Sequence, residues 1–225
     1  MLVLSAGQFS GVGPSPARLR TVSAGPLCAV VSDAPGELPL EQRDIDADQE
    51  VQKRLITDGT VLPLRSGCTA PDDEAVRSAL EARADEFADL LGRLEGCVEY
   101  NLKASQDEEM LLREILSQSE AARRLDGQVR EGTADPDAAP RLGELVTVET
   151  RARQEALASG VIEALRPFAR EISSVQPDGT DFLNVSFLVG EEQDELFLAT
   201  ELSLAHQMGE GFFRLDGPLP PYSFS

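Results

Sequence analysis

The sequence predicts an α+β protein in two domains: an N-terminal α+β domain at 1–95 and a modified ferredoxin-like domain at 96–225. Three observations predict it. From residue 97 the pattern reads strand, helices, strand, strand, helix, strand, which is the βαββαβ order of a ferredoxin-like fold. The first helix position is expanded into a long α-hairpin at about 108–172, where helix, Gly/Pro/Asp break and longer helix follow one another. Before residue 97 the order is strand, helix, strand, helix, and Gly96 marks the seam.

Residues 1–20 are rich in Gly, Ser and Pro and read as loop, with a short strand at 2–4. LCAVVS at 27–32 is short, continuous and β-branched, as a strand buried on both faces is. The prolines and glycine of APGELPLE break it. DIDADQEVQKRLIT at 44–57 reads as a helix with Ile45, Val51 and Leu55 inward. TVLPLR follows as a short strand, which Pro63 confines to an edge or an end.

Pro71 is expected to open the next helix at its first position, with Asp72, Asp73 and Glu74 complementing the dipole. Val76, Leu80, Phe87, Leu90, Leu91 and Leu94 form its apolar stripe, and Gly96 ends it. CVEYNLK at 97–103 alternates Val98, Tyr100 and Leu102 against Glu99, Asn101 and Lys103, the pattern of a half-buried strand. The hairpin comprises a helix at 108–125 and a second at about 141–172. FLNVSFLV (182–189) and LFLAT (196–200) read as strands, 201–208 as a short helix, and FFRLD (212–216) as the last strand.

The net charge of −20 opposes binding to nucleic acid phosphates and anionic lipid surfaces. It suits a protein that handles sticky apolar partners without aggregating. The start, MLVLSAGQFSGVG, lacks the basic region of a signal peptide, and no apolar run approaches the ~20 residues of a bilayer span. A cytoplasmic location is therefore expected. Cys28, Cys68 and Cys97 are odd in number and lack CxxC spacing, which suits reduced thiols.

Tests for chemistry come out bland. GQFSGVG at 7–13 lacks the GK[ST] of a phosphate loop. Asp44, Asp46 and Asp48 have calcium-loop spacing, but Gln49 and Leu55 replace the Gly and Glu such a loop needs. Cys68 follows Arg65, which could activate a thiol, yet it reads as a packing residue. His206 is the single histidine and reads as a surface or capping group. The adjacent acid pairs Asp72/Asp73, Glu108/Glu109 and Glu191/Glu192 do not converge on one point of a helix. No nucleophile, base and oxyanion donors assemble, so neither enzyme, cofactor nor metal site is expected.

Four stretches go further. TVLPLRSG (60–67) resembles the VLPLRFGT signature of gas vesicle accessory proteins of the GvpL/GvpF family. The segment 72–103 is similar to that family's helix and following strand, and GPLPPYSF (217–224) looks like its closing GPWPPYSF. LCAVVSDAP (27–35) matches its early strand. Their order and spacing along the chain are kept. Departures are Ser66 for Phe, Cys68 for Thr, Leu219 for the tail Trp, Gln49 for an expected His, and no aromatic first strand.

The resemblance implies a non-enzymatic accessory role in gas vesicle assembly. It implies binding to the small hydrophobic shell protein, help in shell nucleation or formation, and other gas vesicle accessory proteins as partners. The alternative within the family is a minor structural component retained in the vesicle. A thiol enzyme using Cys68 and a ferredoxin-like ligand sensor are the readings outside it.

The tail has tandem prolines that fix an extended backbone, and Gly217 permits a turn before it. Either it staples the domains or Leu219, Tyr222 and Phe224 present a docking face for the shell protein. The hairpin at 108–172 is the other candidate contact.

Overall fold

The computed structural model describes residues 2–5, 19–33, 51, 55–56, 59–64, 68–131, 136–209 and 212–225. Most of the expected helix at 44–57, the glycine segment 7–13 and Asp44, Asp46 and Asp48 lie outside the described residues. The architecture is mixed helix and sheet, as the composition of elements predicts.

The first sheet runs β2-β3-β1-β4, with β1 at Leu2–Ser5, β2 at Arg20–Ala24, β3 at Leu27–Val31 and β4 at Val61–Pro63. All its pairings are antiparallel, with Leu4 opposite Cys28 on one side and Val61 on the other. β2 escaped the sequence reading because RTVSA has only one strongly apolar residue. It forms by a tight hairpin onto β3, with Gly25 at φ +57, a conformation costly for any side chain with a Cβ. Pro63 is the last residue of the edge strand, where its missing N–H breaks no ladder.

β3 is buried at every position. Ala29 and Val31 face a core with Leu62, Val76, Leu80, Phe87, Leu91 and Leu94, while Val30 joins Val51, Leu55 and Val61. Cover on both faces explains why LCAVV lacks polar alternation.

The helical stripe at 71–94 is two helices, α1 (Asp73–Ala82) and α2 (Ala84–Leu94). Pro71 lies outside α1. Asp72 is the cap, and its Oδ1 accepts a 2.8 Å hydrogen bond from Ala75 N. The break at Arg83 leaves the stripe intact, since Val76 and Leu80 of α1 and Phe87, Leu91 and Leu94 of α2 enter the same core. Gly96, at φ +63, turns the chain into the next strand.

The second sheet runs β6-β7-β5-β8, with β5 at Cys97–Ser105, β6 at Ala169–Ser174, β7 at Asp181–Gly190 and β8 at Phe213–Leu219. Between β5 and β6 lie α3 (Glu108–Gln118), α4 (Glu120–Arg130) and α5 (Ala138–Leu165). The expected single helix at 108–125 is divided at Ser119, whose Oγ accepts from Ala122 N and caps α4. Leu111, Ile115 and Ala122 form the hairpin core with Leu116, Leu142, Leu145 and Val146.

Two expectations are overturned here. The second hairpin helix does not reach residue 172. Pro167, which cannot donate to a helix, sits in a short 3-10 turn after α5, and β6 follows. LFLAT is not a strand but part of α6 (Asp194–Met208), where Leu, Ala and Glu are all strong helix formers. From residue 97 on, one strand was missed and one was misassigned, so the order strand, helices, strand, strand, helix, strand survives with different members.

The chain groups into two compact units, neither of them one contiguous segment. Unit 1 comprises Met1–Tyr100, Ser186–Asp194 and Asp216–Ser225. Unit 2 comprises Asn101–Val185 and Glu195–Leu215. Among the described residues no helix is long and apolar enough to cross a membrane.

Candidate functional site

The tail is a latched segment of unit 1. Tandem prolines at 220 and 221 are buried, and Tyr222–Phe224 forms one 3-10 turn with Tyr222 N donating to Pro220 O at 2.8 Å. Its anchor is polar as well as apolar. Phe224 is 7% exposed and joins the core formed by the first sheet and by α1 and α2. Arg93 Nη2 donates to Phe224 O at 2.9 Å.

Glu99 is the centre of the polar anchor. It is only 4% exposed, and its carboxylate accepts from Ser223 N at 2.9 Å and from Ser223 Oγ at 2.6 Å. Ser223 Oγ also lies 3.0 Å from Ser186 Oγ. A buried carboxylate needs such donors, because desolvation without them is costly. The alternation read for β5 therefore fails at Glu99, which is inside. It holds from Tyr100 onward, where Tyr100, Leu102 and Ala104 are buried.

Gly217 lets the tail approach β5 closely. A Cβ added there would stand 2.8 Å from Tyr100 Cε1 and 3.1 Å from Glu99 O, so a side chain does not fit. The Gly217–Pro218 peptide is cis. The Tyr100 hydroxyl donates to Asp194 Oδ1 at 2.7 Å. Burial first, and the Asp194 carboxylate second, hold its phenol well above the usual tyrosine range.

Of the three tail residues singled out from sequence, Phe224 is in the core, Leu219 is half-buried and Tyr222 is exposed.

In unit 2 the sequence reading missed a second apolar feature. α6 is anchored by Phe197, which is fully buried. Leu196 and Leu202 remain 54% and 57% exposed, and Leu198 is also exposed. Leu198 and Leu202 are one helical turn apart and stand together on the surface. Glu201 lies on the same helix, where burial pushes its carboxyl above the usual range. His206 Nδ1 lies 3.0 Å from Leu202 O near the helix end. A helix apolar on several sides is ordinarily one that is covered. The signal was present as Leu198, Leu202 and Ala205 at near-helical spacing, but the short LFLAT run read as a strand.

The other chemical candidates do not come together. Cys28 is buried, Cys97 half-buried and Cys68 exposed. Among the described residues no group of three or more His, Cys, Asp or Glu could hold a metal ion.

A family model described as gas vesicle synthesis protein GvpL/GvpF matches residues 3–225. The gas vesicle protein F of a Streptomyces species is 36% identical over 220 residues, spanning 96% of this chain and 92% of that protein. The gas vesicle protein L of the same organism is 31% identical over 240 residues, spanning 96% of this chain and 85% of that protein. The crystal structure of GvpF from Anabaena sp. PCC7120 superposes with a TM-score of 0.86 at 19% identity, covering 99% of this chain and 95% of that one. GvpF from Microcystis aeruginosa gives 0.78 at 17% identity, covering 99% and 96%. At those identities the two structures speak for the fold alone.

Proposed function

Because the chain belongs to the GvpL/GvpF family of gas vesicle synthesis proteins, and so has a role in gas vesicle formation, we propose that it is a non-enzymatic assembly factor for the shell. It binds the small hydrophobic shell protein in the cytoplasm, assists shell nucleation or formation, and works with other gas vesicle accessory proteins. The observation that carries this reading is the apolar face left on α6: Leu198 and Leu202, one turn apart, are exposed on a chain with a net charge of −20, and Leu196 is exposed on another side of the same helix. An apolar helix face binds an apolar partner, and the surrounding negative charge keeps the free protein soluble.

Tail residues Leu219, Tyr222 and Phe224 form the second part of the proposed contact. Leu219 and Tyr222 supply outward surface, while Phe224 fixes the turn that displays them. The scaffold is read as two domains, 1–95 and 96–225, the second a modified ferredoxin-like fold carrying the α-hairpin. The strand order β6-β7-β5-β8 supports that reading, since it is the order in which a βαββαβ chain folds into one sheet.

Co-expression with a small hydrophobic shell protein, followed by tagged pull-down, tests the proposal. The wild-type chain should retain the shell protein in soluble form. A Leu198→Glu/Leu202→Glu double variant that keeps its circular dichroism and melting transition should lose most of it. Leu219→Ser/Tyr222→Ala should lose part. Equal retention by all three folded proteins sinks the assignment of both surfaces, and no retention by wild type sinks the shell-binding role.

A further inference from the structure

We propose that the cleft between α3 and α5 is a docking site for a cationic, amphipathic helix of a partner protein. The cleft has a volume of about 990 Å³ and lies wholly within unit 2. Leu111, Leu112, Val146, Ala158 and Phe182 give it apolar surface. Met110 of α3 and Val148 of α5 are large apolar groups left exposed on the same two helices. The helices already pack on each other through Leu111, Ile115, Leu142 and Leu145. A groove between two packed helices receives the side-chain ridge of a third, which is how an amphipathic helix docks.

The charge of the lining specifies the occupant. The charged lining is Glu108, Glu109, Glu155 and Asp181 against Arg151 alone, four carboxylates to one guanidinium. Glu109 also pairs with Arg113, Asp181 with Arg214, and Arg151 with Glu155. With those three arginines counted, one carboxylate remains in excess, Glu108, and it complements Lys or Arg on an incoming helix. A second copy of this chain, at a net charge of −20, has the wrong sign.

This goes beyond the shell-protein reading and does not depend on it, because the lining of the cleft includes neither the α6 leucines nor the tail residues. The test uses the full chain and two labelled peptides of one length and apolar pattern, one with Lys and one with Glu on the polar face, read by fluorescence anisotropy. The Lys peptide should bind at least about tenfold tighter than the Glu peptide, with the difference shrinking as salt rises.

Glu108→Gln/Glu109→Gln should weaken the Lys peptide about fivefold. Glu81→Gln/Asp85→Asn removes the same charge from α1 and α2 and should change binding less than about twofold. Thr150→Arg, which puts a cation into the cleft, should abolish binding, and Ala158→Trp is the second blocking variant if the first disturbs folding. No binding of the Lys peptide, equal effects of the two charge doubles, or unchanged binding to a folded blocking variant overturns the proposal.

Discussion

The tail at 217–225 and helix α6 each carry a dense apolar stretch, and the molecule treats them in opposite ways. The tail looks like a sticky end in the sequence, but its turn is held from both sides. Phe224 is in a core and the Ser223 backbone and hydroxyl both donate to Glu99. α6 looks like ordinary strand and helix in the sequence, yet three of its leucines are left in solvent around a single buried anchor, Phe197. The difference teaches that apolar content does not say which segment is free to meet a partner. Polar partners decide it: the tail has a buried carboxylate to hold it, whereas no comparable polar clamp covers the α6 leucines among the described residues.

Four substitutions break or sharpen this contrast. Phe224→Ala should have the largest effect, a loss of about 3 kcal/mol or more in urea-unfolding free energy, because it empties a core position. A loss under about 1 kcal/mol would show the tail to be loosely attached. Ser223→Ala removes the hydroxyl donor to a buried carboxylate and should cost about 2 kcal/mol in the same assay.

Tyr100→Phe gives a pH signature. The folded phenol sits above its ordinary range, so its contribution is fully present below about pH 10, the unfolded value. It is lost as pH rises from there through the folded value. Wild type should therefore lose stability above about pH 10, and Tyr100→Phe should flatten that alkaline limb. A limb of unchanged slope would assign it to other groups. Leu202→Ser should have the smallest effect on stability, within about 0.5 kcal/mol, while reducing retention of an apolar partner. A large destabilisation would mean that α6 is covered within the chain after all.

The proposed boundary at 95/96 bears on the same contrast. The core of unit 1 takes Leu188 and Phe224 from the far end of the chain. A fragment ending at residue 95 therefore lacks core members, and its proteolytic sensitivity beside that of 96–225 measures how far either domain stands alone.

Local chemistry was legible in the sequence wherever one segment decides its own state. The buried β3 run, the edge strand ended by Pro63, the α1/α2 stripe and the Gly/Pro/Asp break in the hairpin could all be read from residue order. So could the family, since its motifs are contiguous. What the tertiary structure alone decided lies where distant residues meet. Glu99 is polar and reads as outward until Ser223, more than a hundred positions later, supplies the donors that let it be buried. AREISS becomes a strand and LFLAT a helix because sheet neighbours and packing outweigh short-range preference, and patterns of six and five residues are too brief to resist them. Sequence set the periodicities, the breaks and the charge; burial, being a property of which surfaces are covered, had to wait for the fold.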